Sequence, residues 1–198
     1  RQSLDAAKAM AARRIMEQKI DLLLQTGDAA YSMKGLLNQT GTNTYVVPNG
    51  VSGSPLWINK TSDEILTDLN GMANAASNAT NGIEYPDKMV LPIAQYDLIS
   101  QQPRSSTSDT TVKEFFLGNS PTIKEIVPWW PCKTAGALGV TRAVTYRMDL
   151  EALWFYMPQE FQPMAPQLRG LEYIVPCTAD FGGVHVRLPK SITYADGI

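Results

Sequence analysis

An α+β fold is predicted for this chain of 198 residues, and three observations carry the prediction. Helical spacing and capping signals run from Ser3 to Gly118, strand-like alternation takes over from Ile123 onward, and no internal repeat links the two regions. Hydrophobic residues make up 44% of the chain, so a sizeable core can form and disorder is excluded. The length fits one large domain or two small ones folded together.

Ser3 can cap a helix that runs to about Gln25, with Gly27 supplying a left-handed stop. Leu4, Ala7, Ala11, Ile15 and Leu22 fall on one narrow stripe, the pattern of a core-packing helix about 33 Å long. Residues 28–60 are punctuated by Gly and Pro and read as loop with brief strands at Thr44–Val47 and Leu56–Ile58. Thr61 and Glu64 stand in capping-box spacing ahead of a second helix that stripes Ile65, Leu69, Met72, Ala73 and Ala76 and stops at Asn81-Gly82. Lys88–Leu91 is a short strand, Pro92 ends it, and a helix follows through Ala94, Tyr96, Leu98 and Ile99. Gln101–Asp109 is polar and linker-like, a flexible surface loop. Thr111 and Glu114 cap a short helix over Val112–Leu117 that Gly118 closes. Strands are expected at 123–127, 140–148, 153–157, 171–175 and 183–188.

Charged residues are only 18% of the chain, against about 25% in an average soluble domain. Thr, Ser, Gln and Asn supply 47 residues in their place, so the surface is polar but weakly charged. A net charge of −2 leaves no basic surplus for gripping nucleic acid. The charge is uneven: residues 1–27 carry +2, 28–130 carry −4, and 131–198 are neutral. No apolar run approaches the 18 or more residues of a membrane span, and no signal peptide is visible. The chain opens at Arg1 with no initiator Met and enters a helical pattern at once, so it reads as a fragment.

Active-site vocabulary is scarce. Cys132 and Cys177 lack any CxxC spacing and read as small residues in a reducing compartment, so no metal or cofactor is expected. Gly50-Val51-Ser52-Gly53-Ser54 approaches a nucleophile elbow but has Ser54 where that motif needs Gly, and Pro55 then blocks a helix, so Ser52 reads as a turn residue. Asp63, Glu64 and Asp68 cluster like a metal or acid/base site, yet capping and the helix dipole account for all three. His185, the one histidine, alternates with Val184 and Val186 in a strand, and Trp129-Trp130 lies between two prolines. A small hydrolase or ligand-binding domain around His185 and Trp129 is the reading these residues allow; the expectation is that the chain is not an enzyme.

The order of features resembles the tailed-bacteriophage major capsid proteins of the Hong-Kong-ninety-seven-type fold. A long helix ending in Gly is followed by GLLN (35–38); a capped helix then leads to EYPDKMVLPIAQYDLI (84–99); and GGVHVRLPKSITYADGI (182–198) looks like the family's closing strand. The resemblance implies a structural subunit that self-assembles into hexamers and pentamers of an icosahedral virion shell. That shell would be built in the bacterial cytoplasm, would enclose DNA without sequence-specific binding, and would involve scaffold and portal proteins but no membrane. It implies a peripheral subdomain over 1–60 and 159–198, holding the long spine helix, and an axial subdomain over 61–158. The family's N-terminal arm and extended hairpin precede the spine helix, and this chain carries neither. A nanocompartment (encapsulin-like) shell shares the fold and is the alternative. Arg13, Arg14, Arg104, Ser105, Ser106, Arg142 and Arg147 are the expected subunit-interface residues, the middle three by analogy with axial loops.

Overall fold

The computed structural model describes residues 4–198, so the expected Ser3 cap lies outside the described residues. In chain order the first elements are α1 (Leu4–Gln25), β1 (Gly27–Asp28), β2 (Met33–Lys34), β3 (Asn43–Tyr45), α2 (Ser62–Ala79), β4 (Lys88–Leu91), α3 (Ile93–Gln101) and α4 (Val112–Asn119). There follow β5 (Glu125–Pro128), β6 (Arg142–Tyr146), β7 (Leu153–Tyr156), β8 (Gln159–Pro163), β9 (Gln167–Arg169), β10 (Glu172–Ile174), β11 (Cys177–Asp180), β12 (Gly183–Val186) and β13 (Thr193–Asp196). The α+β prediction holds. The chain divides into two compact units, one of residues 1–38 with 154–185 and one of 39–153 with 186–198. Residues 39–60 and 186–198 thus pack with the middle of the chain.

In the first unit, the end of α1 is held by the motif Gly35-Leu36-Leu37-Asn38. The last carbonyls of a helix have no partner within it. Here Leu36 N–H donates to Leu24 O (2.7 Å) and Leu37 N–H to Gln25 O (3.0 Å), while Asn38 accepts from Gly35 N–H and donates to Thr26 O, both at 2.7 Å. Leu36 and Leu37 are buried, and Gly27 takes the expected left-handed conformation at φ 74°. Gly35 lies against the Gln25–Thr26 backbone so closely that a side chain there would overlap main-chain atoms. The predicted stripe on α1 fares differently: Ile15 is 64% and Leu22 47% exposed, and Leu23 is the buried apolar residue among the described side chains of this helix. A hydrophobic period marks a face that can be covered and does not by itself say that the same subunit covers it. The rest of the unit is strand: β8 pairs antiparallel with β11 and β9 antiparallel with β10, and β7 and β12 form a further two-stranded sheet. Strands β8, β9 and β11 were not predicted, because QEFQP, QLR and CTAD carry no apolar alternation.

The second unit is built on a mixed five-stranded sheet of order β3-β13-β6-β4-β5. β13 runs parallel to β3 and antiparallel to β6, and β4 runs antiparallel to β6 and parallel to β5. α2 starts at the predicted Thr61–Glu64 capping box and buries Ile65, Leu66, Leu69, Met72, Ala73 and Ala76. All of these but Ala76 join Met89, Leu91, Ile99, Val112, Phe116, Ile123, Ile126, Ala143 and Ala195 in one core. α4 begins with the predicted Thr111–Glu114 box, but Gly118 lies inside it and Ser120 caps its end. The expected strand at Leu56–Ile58 is instead a 3₁₀ turn over Trp57–Asn59, because the buried Trp57 indole turns inward to donate to Asp68 (2.9 Å).

Asp68 also corrects the dipole reading of its cluster. It is 1% exposed and pairs with the equally buried Lys60 (Nζ to Oδ2, 2.6 Å), whose ammonium donates in addition to Pro48 O (2.7 Å). Burial raises the Asp68 carboxyl and outweighs the lowering by Lys60 and Trp57. Removing one partner of such a pair strands a buried charge, which costs far more than replacing both. Asp68→Asn is expected to destabilise the protein by about 3–5 kcal/mol. In urea unfolding, Lys60→Met/Asp68→Leu should recover most of that loss, short of the bond from Trp57. Gly35→Ala should cost about 1–3 kcal/mol through backbone overlap and lower the thermal midpoint, although alanine elsewhere stabilises by reducing the entropy of the unfolded chain.

Candidate functional site

The expected flexible loop is an ordered turn in the second unit. Arg104 N–H donates to Thr110 O (2.9 Å), Val112 N–H to Gln102 O (3.0 Å), and Ser62 Oγ to Pro103 O (2.8 Å). The Arg104 guanidinium meets Asp63 at 2.5 Å and lies 5.0 Å from the Phe115 ring centroid, tying the loop to the first turns of α2 and α4. Ser105 and Ser106 are exposed at its tip. Polar composition made this segment look loose; its Ser and Thr side chains in fact close it, with Ser108 Oγ and Thr110 Oγ1 at 2.7 Å.

The remaining predicted arginines do not converge on one place. Arg142 and Asp196 face each other across β6 and β13 in a two-pronged pair, both contacts at 2.7 Å, and the guanidinium lies 4.4 Å from the Tyr194 ring centroid. Ala137 N–H adds a bond to Asp196 Oδ2 (3.1 Å). Burial pushes the Asp196 carboxyl up, but Arg142 and the Ala137 N–H together hold it below its ordinary value. Arg147 bridges Glu84 (3.1 Å) and Asp149 (2.7 Å) beside an open cavity of about 510 Å³ lined by Tyr85, Asp87, Lys124 and Met148. On α1, in the first unit, Arg13 pairs with Glu17 one turn on (2.8 Å) and Arg14 is exposed.

The residues that invited a catalytic reading fall apart. His185 belongs to the first unit, stacked on Trp154 (5.7 Å, 15°) and edge-on to Tyr156 (5.9 Å, 86°), whereas Trp129 belongs to the second. Ser52 is exposed in the turn that Gly53 N–H closes onto Gly50 O (2.8 Å). Cys132 is buried with its thiol pushed up to about 12, the opposite of an activated nucleophile. Among the described residues no three His, Cys, Asp or Glu come together as a metal site, and no helix is long and apolar enough to cross a membrane.

What the first unit presents instead is uncovered apolar surface. Met10, Ile15 and Leu22 on α1 and Leu168, Leu171, Tyr173 and Val175 on and around the β9–β10 hairpin are exposed. A cavity of about 610 Å³ opens in the same unit between Ala9, Ala12, Phe161, Pro163, Tyr173 and Val175. Exposed large apolar side chains beside an open cavity are features that interaction surfaces carry. Sequence reading missed this, because an apolar residue in a short polar strand has no period to mark its side.

The major capsid protein family matches this sequence over residues 1–198, and the chain belongs to that family. Its fold is similar to the capsid of Myoviridae phage XM1, with 19% identity and a TM-score of 0.85 over 100% of this chain and 66% of that one. It is also similar to a phage-related protein from Bordetella bronchiseptica RB50 (11%, TM-score 0.61, covering 99% and 69%). A virus-like particle from Pyrococcus furiosus shares it more distantly (16%, TM-score 0.50, covering 81% and 57%). The chain therefore spans about two thirds of the length of the phage proteins it matches and less of the third. No curated protein matches the sequence.

The Arg142–Asp196 pair makes the second unit sensitive to acid. Because the folded Asp196 carboxyl is lowered from its ordinary 3.8, the pair contributes fully above that value and is lost as the pH falls through the folded one. Asp196→Asn is expected to cost about 1–3 kcal/mol near neutral pH and less at a pH well below 3.8, where the folded carboxyl begins to protonate. Urea midpoints of wild type and variant at the two pH values check this; an equal gap at both overturns it.

Proposed function

We propose that this chain is the structural subunit of an icosahedral phage or prophage head, self-assembling into hexamers and pentamers that enclose DNA. The observation that carries the reading is the family match along the whole chain. The uncovered apolar surface of the first unit supports it, since a shell subunit is buried on several sides by copies of itself. On this reading the unit of 39–153 and 186–198 takes the axial position, with Arg104, Ser105 and Ser106 at the symmetry axis, and the unit of 1–38 and 154–185 the peripheral one. Arg14, exposed on α1, is then free to contact neighbours, and Arg13, whose pair with Glu17 lies wholly on the surface, contacts them through that pair. Arg142 and Arg147 serve mainly within the subunit, because carboxylates of their own chain already hold them. The weak net charge suits a lining that holds DNA without gripping it. Assembly in the bacterial cytoplasm with scaffold and portal proteins belongs to the same reading.

Electron microscopy of the full-length protein, expressed alone and with its genomic neighbours, should show closed shells or five- and six-fold rings. A protein that stays monomeric in every condition overturns the proposal. Particles that enclose an enzyme in place of DNA would favour the nanocompartment.

A further inference from the structure

The β9–β10 hairpin is the part of the first unit that its own chain leaves barest. Residues 162–175 are fourteen exposed residues in succession, the longest such run among the described residues. β9 pairs with β10 alone, so both outer edges of the ribbon are open. A two-stranded ribbon is marginal in water by itself and gains order once another surface covers it. Its side chains alternate between two faces. Tyr173, opposite Leu168, lines the cavity beside α1, so that face turns toward the helix. Arg169, opposite Glu172, and Gln167, opposite Ile174, stand on the other face and point away from it.

Arg169 and Glu172 flank the two-residue loop Gly170-Leu171, in which Gly170 takes φ 67°. The register sets the two charges opposite each other, yet neither side chain has a hydrogen-bond or ion-pair partner among the described residues. A face that holds an unpaired cation beside an unpaired anion is complementary to itself. A half-turn about an axis along the strands brings Glu172 of a second copy over Arg169 and its Arg169 over Glu172, and lays Ile174 against the aliphatic stem of Gln167. Contacts across a two-fold axis require that self-match. We propose that this face of the hairpin, with Gln167, Arg169, Glu172 and Ile174, meets the same face of a second copy across a two-fold axis. The inference rests on the shell reading above, which sets copies side by side.

Charge reversal tests the contact. Arg169→Glu puts two acids on the face and Glu172→Arg two bases, so each variant repels its own copies and matches the other variant. Like charges then share every hairpin, and nothing inside one chain can restore the contact when the two variants are mixed. In sedimentation and electron microscopy of the full-length protein, each variant alone should associate about tenfold more weakly per contact than wild type. Co-expressed, the two should recover wild-type association in particles that contain equal amounts of both by mass spectrometry. Arg169→Gln/Glu172→Gln, which should melt as wild type does, is expected to weaken association by a smaller factor. Reversed variants that assemble like wild type, a mixture no better than its parts, or a neutral double variant that associates as tightly as wild type would each overturn the inference and leave the shell reading standing. A wild type that never assembles would remove both.

Discussion

The pairing of β6 with β13 is the interaction on which the second unit depends. Thr145, Val144, Ala143 and Arg142 face Thr193, Tyr194, Ala195 and Asp196 in register, and the two alanines are buried beneath the helices. β3 is held only by β13, and β4 with β5 only by β6, so this one ladder joins the two halves of the sheet. Small side chains at its centre let α2 lie close, and Thr145 Oγ1 reaches the Met72 carbonyl (3.4 Å). At its end the Arg142–Asp196 pair is a cross-strand ion pair in register, which both sets the alignment and fixes the turn at Ala137.

Where the chain states its structure locally, the sequence was readable. Both capping boxes, the Asn81-Gly82 stop, β4 with its terminating Pro92 and the helix after it are made from neighbouring residues, and each was found where expected. The misses are non-local. Trp57 forms a 3₁₀ turn instead of a strand because a carboxylate eleven residues on needs its N–H. Asp68 looks like a dipole residue until Lys60 is seen buried against it. β8 and β11 are polar strands that exist because they face each other, which no single window reveals. The GLLN segment was legible only as a resemblance; its physical content is that its backbone, with Asn38, satisfies the end of α1.

The low charge content has a structural counterpart. Several of the charged groups are spent inside the subunit: Lys60 on Asp68, Lys88 on Glu125 across β4 and β5, Arg104 on Asp63, Arg142 on Asp196 and Arg147 on Glu84 and Asp149. Other charged side chains, among them Lys8, Arg14, Asp97, Lys124, Glu160 and Arg187, stay exposed, interspersed with hydroxyl, amide and apolar groups. The pairs already made within the subunit need no new partner if their surroundings are covered. The candidate arginines were legible as residues, but their partners were not, because each carboxylate except Asp149 and Glu17 comes from a distant part of the chain.

The parallel pair of β3 with β13 joins Asn43 to Thr193, across 149 residues of intervening chain. During translation, therefore, β3 emerges from the ribosome long before its only partner has been made. At about 5–20 residues per second, its edge and that of β6 stay open for some seconds or longer. An open edge of this kind is a template for the wrong strand, above all when many identical chains are being made nearby. The order of synthesis thus places a demand on chaperones that the finished sheet no longer displays.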